Sequence, residues 1–137
     1  MNFKPYNSEK EIAESMLWPK GTYDFEVLDG IEKVSQSGGN PMIELRLKVF
    51  GANGTTRIIT DYLLEKRAGK LRHAAETCGL LDRYNTGNLS NSDFRRKRGR
   101  LKLGIEKAKD GFPARNTVVD YVAGGGALAV FMVDQRS

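Results

Sequence analysis

The alternation of apolar and polar residues along the chain predicts five β-strands. In residues 22–28, Tyr23, Phe25 and Val27 alternate with polar side chains, which is typical of a strand that buries one face. Gly30 lies in the continuation of this strand, and we predict a β-bulge there. Similar alternation and β-branched residues predict four more strands, over residues 42–50, 55–63, 101–105 and 117–122.

The apolar period changes between the third and fourth of these strands. In residues 69–81 apolar side chains recur at helical spacing, and Gly79 lies near the predicted end of that helix. The polar residues 82–93 predict a loop. Nearer the N-terminus, Ser8 and Glu11 have the spacing of a capping box and predict a short helix.

This order of elements predicts an oligonucleotide/oligosaccharide-binding (OB) fold. We expect an all-β fold with one main helix: a five-stranded OB-fold barrel whose helix lies between strands 3 and 4. Residues 1–20 then form an N-terminal arm with a short helix, and residues 21–122 form the barrel. Residues 123–137 form a glycine hinge and an apolar C-terminal tail.

Positive charge is concentrated in one part of the chain. The net charge is +5, but residues 63–115 carry 14 Lys and Arg against 6 Asp and Glu, whereas the flanking segments are slightly acidic. Such a concentration favours a polyanionic partner, and a solubilising surface is the alternative.

The reactive residue types argue against an enzyme. Cys78 is the single cysteine and His73 the single histidine, so there is neither an internal disulfide nor a zinc-ligand spacing. Carboxylates such as Asp24, Glu26 and Asp61 are scattered along strands rather than clustered to hold magnesium. We expect a non-enzymatic protein with no catalytic residues, no metal and no cofactor.

No stretch of the sequence suits a membrane. The first ten residues are polar, unlike a secretory signal, and the longest apolar run, residues 127–133, is too short to cross a bilayer. We therefore expect a cytoplasmic protein without a membrane partner.

Several segments together resemble a family of phage and prophage single-stranded-DNA-binding proteins, long described as a domain of unknown function. The strongest likeness lies in residues 21–45, where Gly21-Thr-Tyr-Asp-Phe-Glu-Val27 precedes the turn Ser35-x-Ser37-Gly-Gly-Asn40-Pro41. The resemblance implies an OB barrel that binds single-stranded DNA in phage DNA replication or recombination, in the cytoplasm of a bacterial host. Phage or host replication and recombination proteins are then possible partners. The other similar segments are residues 61–63, 78–80, 99–105 and 116–121.

The C-terminal tail departs from many single-stranded-DNA-binding proteins, which end in an acidic segment that recruits partners. Here residues 123–137 are glycine-rich and then apolar, with Asp134 as the single acidic residue. The resemblance therefore does not carry recruitment by an acidic tail over to this chain. An apolar, β-prone segment that is exposed to water is prone to aggregate, so we expect it to be buried against another surface. We favour homo-oligomer formation through this segment, with packing onto its own barrel as the alternative.

Binding to a single strand needs cations that follow the phosphates and flat side chains that stack on bases. Outward charges of strands 2, 3 and 4 are expected to line one groove, beside the loop that joins strands 1 and 2. Phe50 and Tyr62, which lie on or near the polar register, are the stacking candidates. The predicted nucleic-acid-binding residues are Lys33, Arg46, Lys48, Phe50, Arg57, Tyr62, Arg95, Arg96, Arg98, Arg100 and Lys102.

Some alternatives remain open in the sequence. Residues 95–100 carry five cations in six positions, which favours a phosphate clamp beside the fourth strand, with a solvated loop as the alternative. Tyr23 and Phe25 are expected in the core, and Trp18 at the end of the barrel. The alternative functions are a protein-interaction or recombination accessory module on an OB scaffold, and RNA binding.

Overall fold

The chain forms a five-stranded antiparallel sheet with its main helix between the third and fourth strands. The computed structural model describes residues 1–6, 8–34 and 38–122. The strands are β1 (Gly21–Val34), β2 (Pro41–Phe50), β3 (Thr56–Leu64), β4 (Arg98–Glu106) and β5 (Arg115–Tyr121). The helices are α1 (Glu9–Ser15), α2 (Ala68–Thr77) and α3 (Leu81–Asn85), with 3-10 turns at Ala52–Gly54 and Asn91–Phe94.

The long strand β1 lies at the centre of the sheet, whose strand order is β3-β2-β1-β4-β5. Its pairing with β2 shifts register between Val27 and Asp29, so Leu28 is the bulged residue rather than Gly30. Gly30 has a different role, because a Cβ there would lie 2.8 Å from the backbone oxygen of Asn91. The glycine therefore permits the second 3-10 turn to cross β1 closely.

One face of each strand builds the hydrophobic core, as the alternation predicts. Leu45, Leu47 and Val49 of β2 are completely buried, and Phe25 of β1 is 1% exposed. Trp18 packs at the margin of this core, with its ring centroid 5.5 Å from that of Tyr23. The remaining buried members of the core are Val27, Ile59, Leu63, Ala74, Ala75, Cys78, Leu80, Phe94, Leu101, Leu103, Val118 and Tyr121.

The segment after α2 is more ordered than the sequence predicts. Gly79 has φ +75°, and the N–H of Leu80 donates to the Ala75 oxygen at 2.7 Å, which is the Schellman pattern that ends a helix. The predicted helix over residues 69–81 therefore ends near Gly79, as expected. The prediction of a loop over residues 82–93 is wrong in part, because that segment contains most of α3 and the second 3-10 turn.

Side chains bridge the two edge strands, β3 and β5, which pair through their backbones with β2 and β4 respectively. The buried Asp61 carboxylate of β3 accepts a 2.8 Å hydrogen bond from the Tyr121 hydroxyl of β5. Lys70 of α2 donates to Asp61 Oδ1 and to the Val118 oxygen, both at 3.0 Å. Burial raises the pKa of Tyr121 well above its usual value, so its phenol remains a hydrogen-bond donor.

The N-terminal arm begins its helix as predicted. The N–H of Glu11 donates to Ser8 Oγ at 3.2 Å, so Ser8 acts as the N-cap of α1. In the parts of the chain that the structure describes, no helix combines the length and apolar character that a membrane span requires.

Candidate nucleic-acid interface

The outward face of β2 carries two cations at its centre, Arg46 and Lys48. Lys48 lies opposite Glu26 of β1 and Ile58 of β3 in the register of the sheet. Arg46 is exposed and Lys48 is half-buried. Among the described residues, neither of these cations forms an ion pair with a carboxylate. Both charges are therefore available to an external anion.

Exposed apolar and aromatic side chains accompany these cations on β3. Tyr62 is 46% exposed and Ile58 is 48% exposed, and both face outward from the sheet. Ile31 of β1 is 41% exposed and shares the transverse row of Tyr62, with Glu44 of β2 between them. This face therefore combines flat or apolar surface with positive charge, which is the combination that single-stranded nucleic acid requires.

Lys33 is engaged with a neighbouring acid on the same face. Its Nζ lies 2.6 Å from Glu44 Oε1, and the hydrogen bond to Glu44 raises the pKa of Lys33. The adjoining residues 35–37 of the predicted ligand loop lie outside the described residues. Lys33 remains a predicted DNA-binding residue, but its charge is offset by Glu44.

The ring of Phe50 is covered by cations. Lys48 Nζ lies 5.7 Å from its centroid, and Arg98 Cζ, which extends from β4, lies 5.8 Å from it. Both contacts are cation–π interactions that order the two positive groups around one ring. A base that stacks on Phe50 competes with these cations for the ring, whereas no cation lies over Tyr62 among the described residues.

The cations of β4 point outward in a row of their own, beyond β1. Arg98 Nη2 lies 3.5 Å from Glu26 Oε1, and Arg100 Nε lies 3.5 Å from Asp24 Oδ1. Lys102 is also exposed, and it lies opposite Thr22 of β1 and Asp120 of β5. These three predicted site residues share the sheet face of Arg46 and Lys48, but acidic neighbours separate the two rows.

The basic segment before β4 is a turn fixed by its backbone. The Arg96 N–H donates to the Val27 oxygen at 2.9 Å, and Arg96 adopts φ 63°. The Arg95 N–H donates to the Ser92 oxygen at 3.2 Å, and Phe94 beside it is completely buried. The backbone is thus anchored while the side chains of Arg95 and Arg96 remain exposed. A phosphate clamp at this turn stays a prediction.

The position expected for Arg57 is wrong, because its side chain belongs to the inward register of β3. Its Nη1 donates to Asn116 Oδ1 at 3.0 Å, its Nη2 donates to the Met16 oxygen at 2.7 Å, and its Cζ lies 4.8 Å from the Trp18 ring centroid. At this end of the sheet the N-terminal arm supplies the Met16 oxygen and β5 supplies Asn116 Oδ1, and these are the acceptors that the guanidinium needs. We therefore exclude Arg57 from the interface.

The remaining reactive side chains, Cys78 and His73, contact other parts of the fold. Burial raises the pKa of Cys78 to about 12, as expected for a cysteine of the core. His73 Nδ1 lies 3.0 Å from Asp120 Oδ1. No group of three His, Cys, Asp or Glu side chains within the described residues is placed to hold a metal ion.

Sequence reasoning overlooked the outward isoleucines. Ile31 and Ile58 lie on the polar register of β1 and β3, on the same face as Tyr62, with Glu44 between Ile31 and Tyr62 and Thr60 between Ile58 and Tyr62. The signal was present in the sequence as an apolar residue at a position where the alternation predicts a polar one. An outward apolar residue indicates a contact surface only when other apolar residues share its face, and the strand register decides whether they do.

No protein-family model matches the chain, and no curated protein is significantly similar to it.

Proposed function

We propose that the protein binds single-stranded DNA, without sequence specificity, on the outward face of β1, β2 and β3. One observation carries the proposal: Arg46 and Lys48, without acidic partners in the described part of the chain, adjoin the exposed Tyr62 and Ile58. Cations can follow the phosphates while bases, exposed only in a single strand, pack against the flat and apolar side chains.

The strand order and the edge contacts support an OB barrel as the scaffold. The sheet follows the order β3-β2-β1-β4-β5, and side chains of β3 and β5 meet through Asp61 and Tyr121 at one end. In OB folds the face of strands 2 and 3 is the usual site for oligonucleotides. The proposed role is in phage DNA replication or recombination, as the resemblance of the sequence implies.

Fluorescence anisotropy with a labelled oligo-dT tests the proposal. We expect tighter binding to oligo-dT than to a duplex of equal length. Each cation that no longer neutralises a phosphate of a single strand should lower the log–log salt slope by about 0.7. The double variant Arg46→Ala/Lys48→Ala should therefore lower the slope by about 1.4. Tyr62→Ala should weaken binding by about 1–3 kcal/mol, because it removes a stacking surface.

The exposed Arg72 of α2 provides a matched control. Arg72→Ala removes one charge outside the sheet and should leave the slope nearly unchanged. A wild-type protein that fails to bind oligo-dT, or binds the duplex equally well, refutes the proposal.

A protein-interaction module is the second candidate, because Ile31, Ile58 and Tyr62 form exposed apolar surface on one face. Absence of binding to DNA, together with absence of binding to a matched RNA oligonucleotide, would favour it. Tight binding to RNA alone would favour the third candidate, RNA binding.

A further inference from the structure

Two carboxylates of β1 lie between the two basic rows of the outward face. Asp24 lies opposite Phe50 of β2 and Arg100 of β4, and Glu26 lies opposite Lys48 and Arg98. Neighbouring strands are about 4.8 Å apart, so the basic rows of β2 and β4 are about 10 Å apart. Carboxylates at the centre of the proposed binding face repel the phosphates of a nucleic acid and should weaken its binding.

The acids make the two basic rows unequal. Arg98 and Arg100 each have a carboxylate oxygen 3.5 Å away, whereas Arg46 and Lys48 have no carboxylate partner among the described residues. A phosphate that approaches β4 must compete with Asp24 or Glu26 for the same guanidinium, and it is repelled by that carboxylate. Glu26 and Asp29 lie opposite Lys48 and Arg46 in the register, but neither carboxylate forms an ion pair with these cations. A phosphate that approaches β2 therefore has no ion pair to break.

The ion pairs are nevertheless easy to open. At 3.5 Å they are longer than a charge-assisted hydrogen bond, and the Arg98 side chain is 72% exposed. Exposed pairs of this kind are weak because water and salt screen them. Arg98 also has a second anchor, the Phe50 ring, which holds its guanidinium over the face while the partner changes.

We propose that Asp24 and Glu26 are internal competitors of the nucleic acid, which hold Arg98 and Arg100 in the unbound protein and yield them to phosphates on binding. This inference rests on the proposed function and concerns how the same face is regulated. In the unbound protein the cations of β2 are accessible to phosphates. The cations of β4 contact phosphates only after the DNA strand has bound to β2. The carboxylates thereby weaken binding and favour release of the strand.

Neutralising the acids tests the proposal in the full-length protein. Glu26→Gln should tighten binding to labelled oligo-dT about threefold, a factor within the range of exposed ion pairs. The salt slope should stay nearly unchanged, because Arg98 contacts a phosphate in the complexes of both proteins. Asp24→Asn should act in the same direction through Arg100. Glu106→Gln is the matched control, because it makes the same charge change in the exposed pair of Glu106 with Arg115.

A double-mutant cycle identifies the group that is released. In an Arg98→Ala background the gain from Glu26→Gln should fall to that of Glu106→Gln, because the guanidinium it would free is absent. The inference is overturned if Glu26→Gln and Glu106→Gln give equal affinity, or if the gain persists without Arg98. It is also overturned if Glu26→Gln steepens the salt slope by about 0.7, because Arg98 would then stay paired with Glu26 in the wild-type complex. Any of these results leaves the proposed function intact when the wild type binds oligo-dT, whereas a wild type that does not bind removes both.

Discussion

Replacing Lys70 by Met should destabilise the protein strongly, because Lys70 is the cation of the bridge between β3 and β5. Its side chain is 15% exposed and that of Asp61 is 12% exposed. Removal therefore leaves a largely buried carboxylate whose remaining hydrogen-bond donor, within the described part of the chain, is the Tyr121 hydroxyl. Breaking one side of a buried pair costs about 3–5 kcal/mol. Because residual exposure and the Tyr121 hydrogen bond soften the effect, we expect a cost of about 3 kcal/mol.

Urea unfolding at 25 °C, followed by circular dichroism and by the fluorescence of Trp18, measures this change by linear extrapolation. Lys66→Met is the control, because Lys66 is exposed and should change the free energy of unfolding by less than about 0.5 kcal/mol. Adding Asp61→Asn to Lys70→Met should restore part of the stability, since Asn removes the charge and keeps an acceptor for Tyr121. The reasoning fails if Lys70→Met behaves like Lys66→Met, or if the double variant is less stable than Lys70→Met alone.

A glycine substitution and a thiol reagent test the packing of the core. Gly99→Ala should lower the free energy of unfolding in urea by about 1–3 kcal/mol, because its Cβ would lie 2.7 Å from Thr77 Oγ1. Gly69→Ala in α2, which has open space around it, should stabilise the protein slightly, and equal effects of the two substitutions would contradict the packing argument. Cys78, with its pKa raised to about 12 by burial, should react with a thiol reagent at pH 8 far more slowly in the native protein than in urea, and equal rates would refute its burial.

The sequence predicted the strands well because their alternation has the period of the backbone itself. Leu45, Leu47 and Val49 all lie in the core, since one inward position determines the others at intervals of two. The inward position of the Arg57 side chain was not predictable in this way. A charged side chain on the inward register is stable only if hydrogen-bond acceptors from elsewhere in the chain contact it. Those acceptors, Asn116 and the Met16 oxygen, are far from Arg57 in the sequence.

The candidate site was predicted as a set of residue types but not as an arrangement. The sequence identified Arg98 and Arg100 as cations, but their acidic partners became visible only when the β1–β4 register was known. The role of Asp61 was missed for a similar reason, since its partners Lys70 and Tyr121 come from a helix and from another strand. The predicted role of residues 123–137 in self-association lies outside the described residues.

The side-chain bridges between β3 and β5 also bear on the order of events during synthesis. β5 follows β1 to β4 in the chain, yet it provides Tyr121 for Asp61 and Asn116 for Arg57. In a nascent chain that has emerged only as far as α3, Asp61 and Arg57 therefore each lack one native partner, although Lys70 and the Met16 oxygen have already emerged. Because contacts so distant in sequence form late, the acid and the guanidinium should keep β3 hydrated and discourage its premature pairing with other chains.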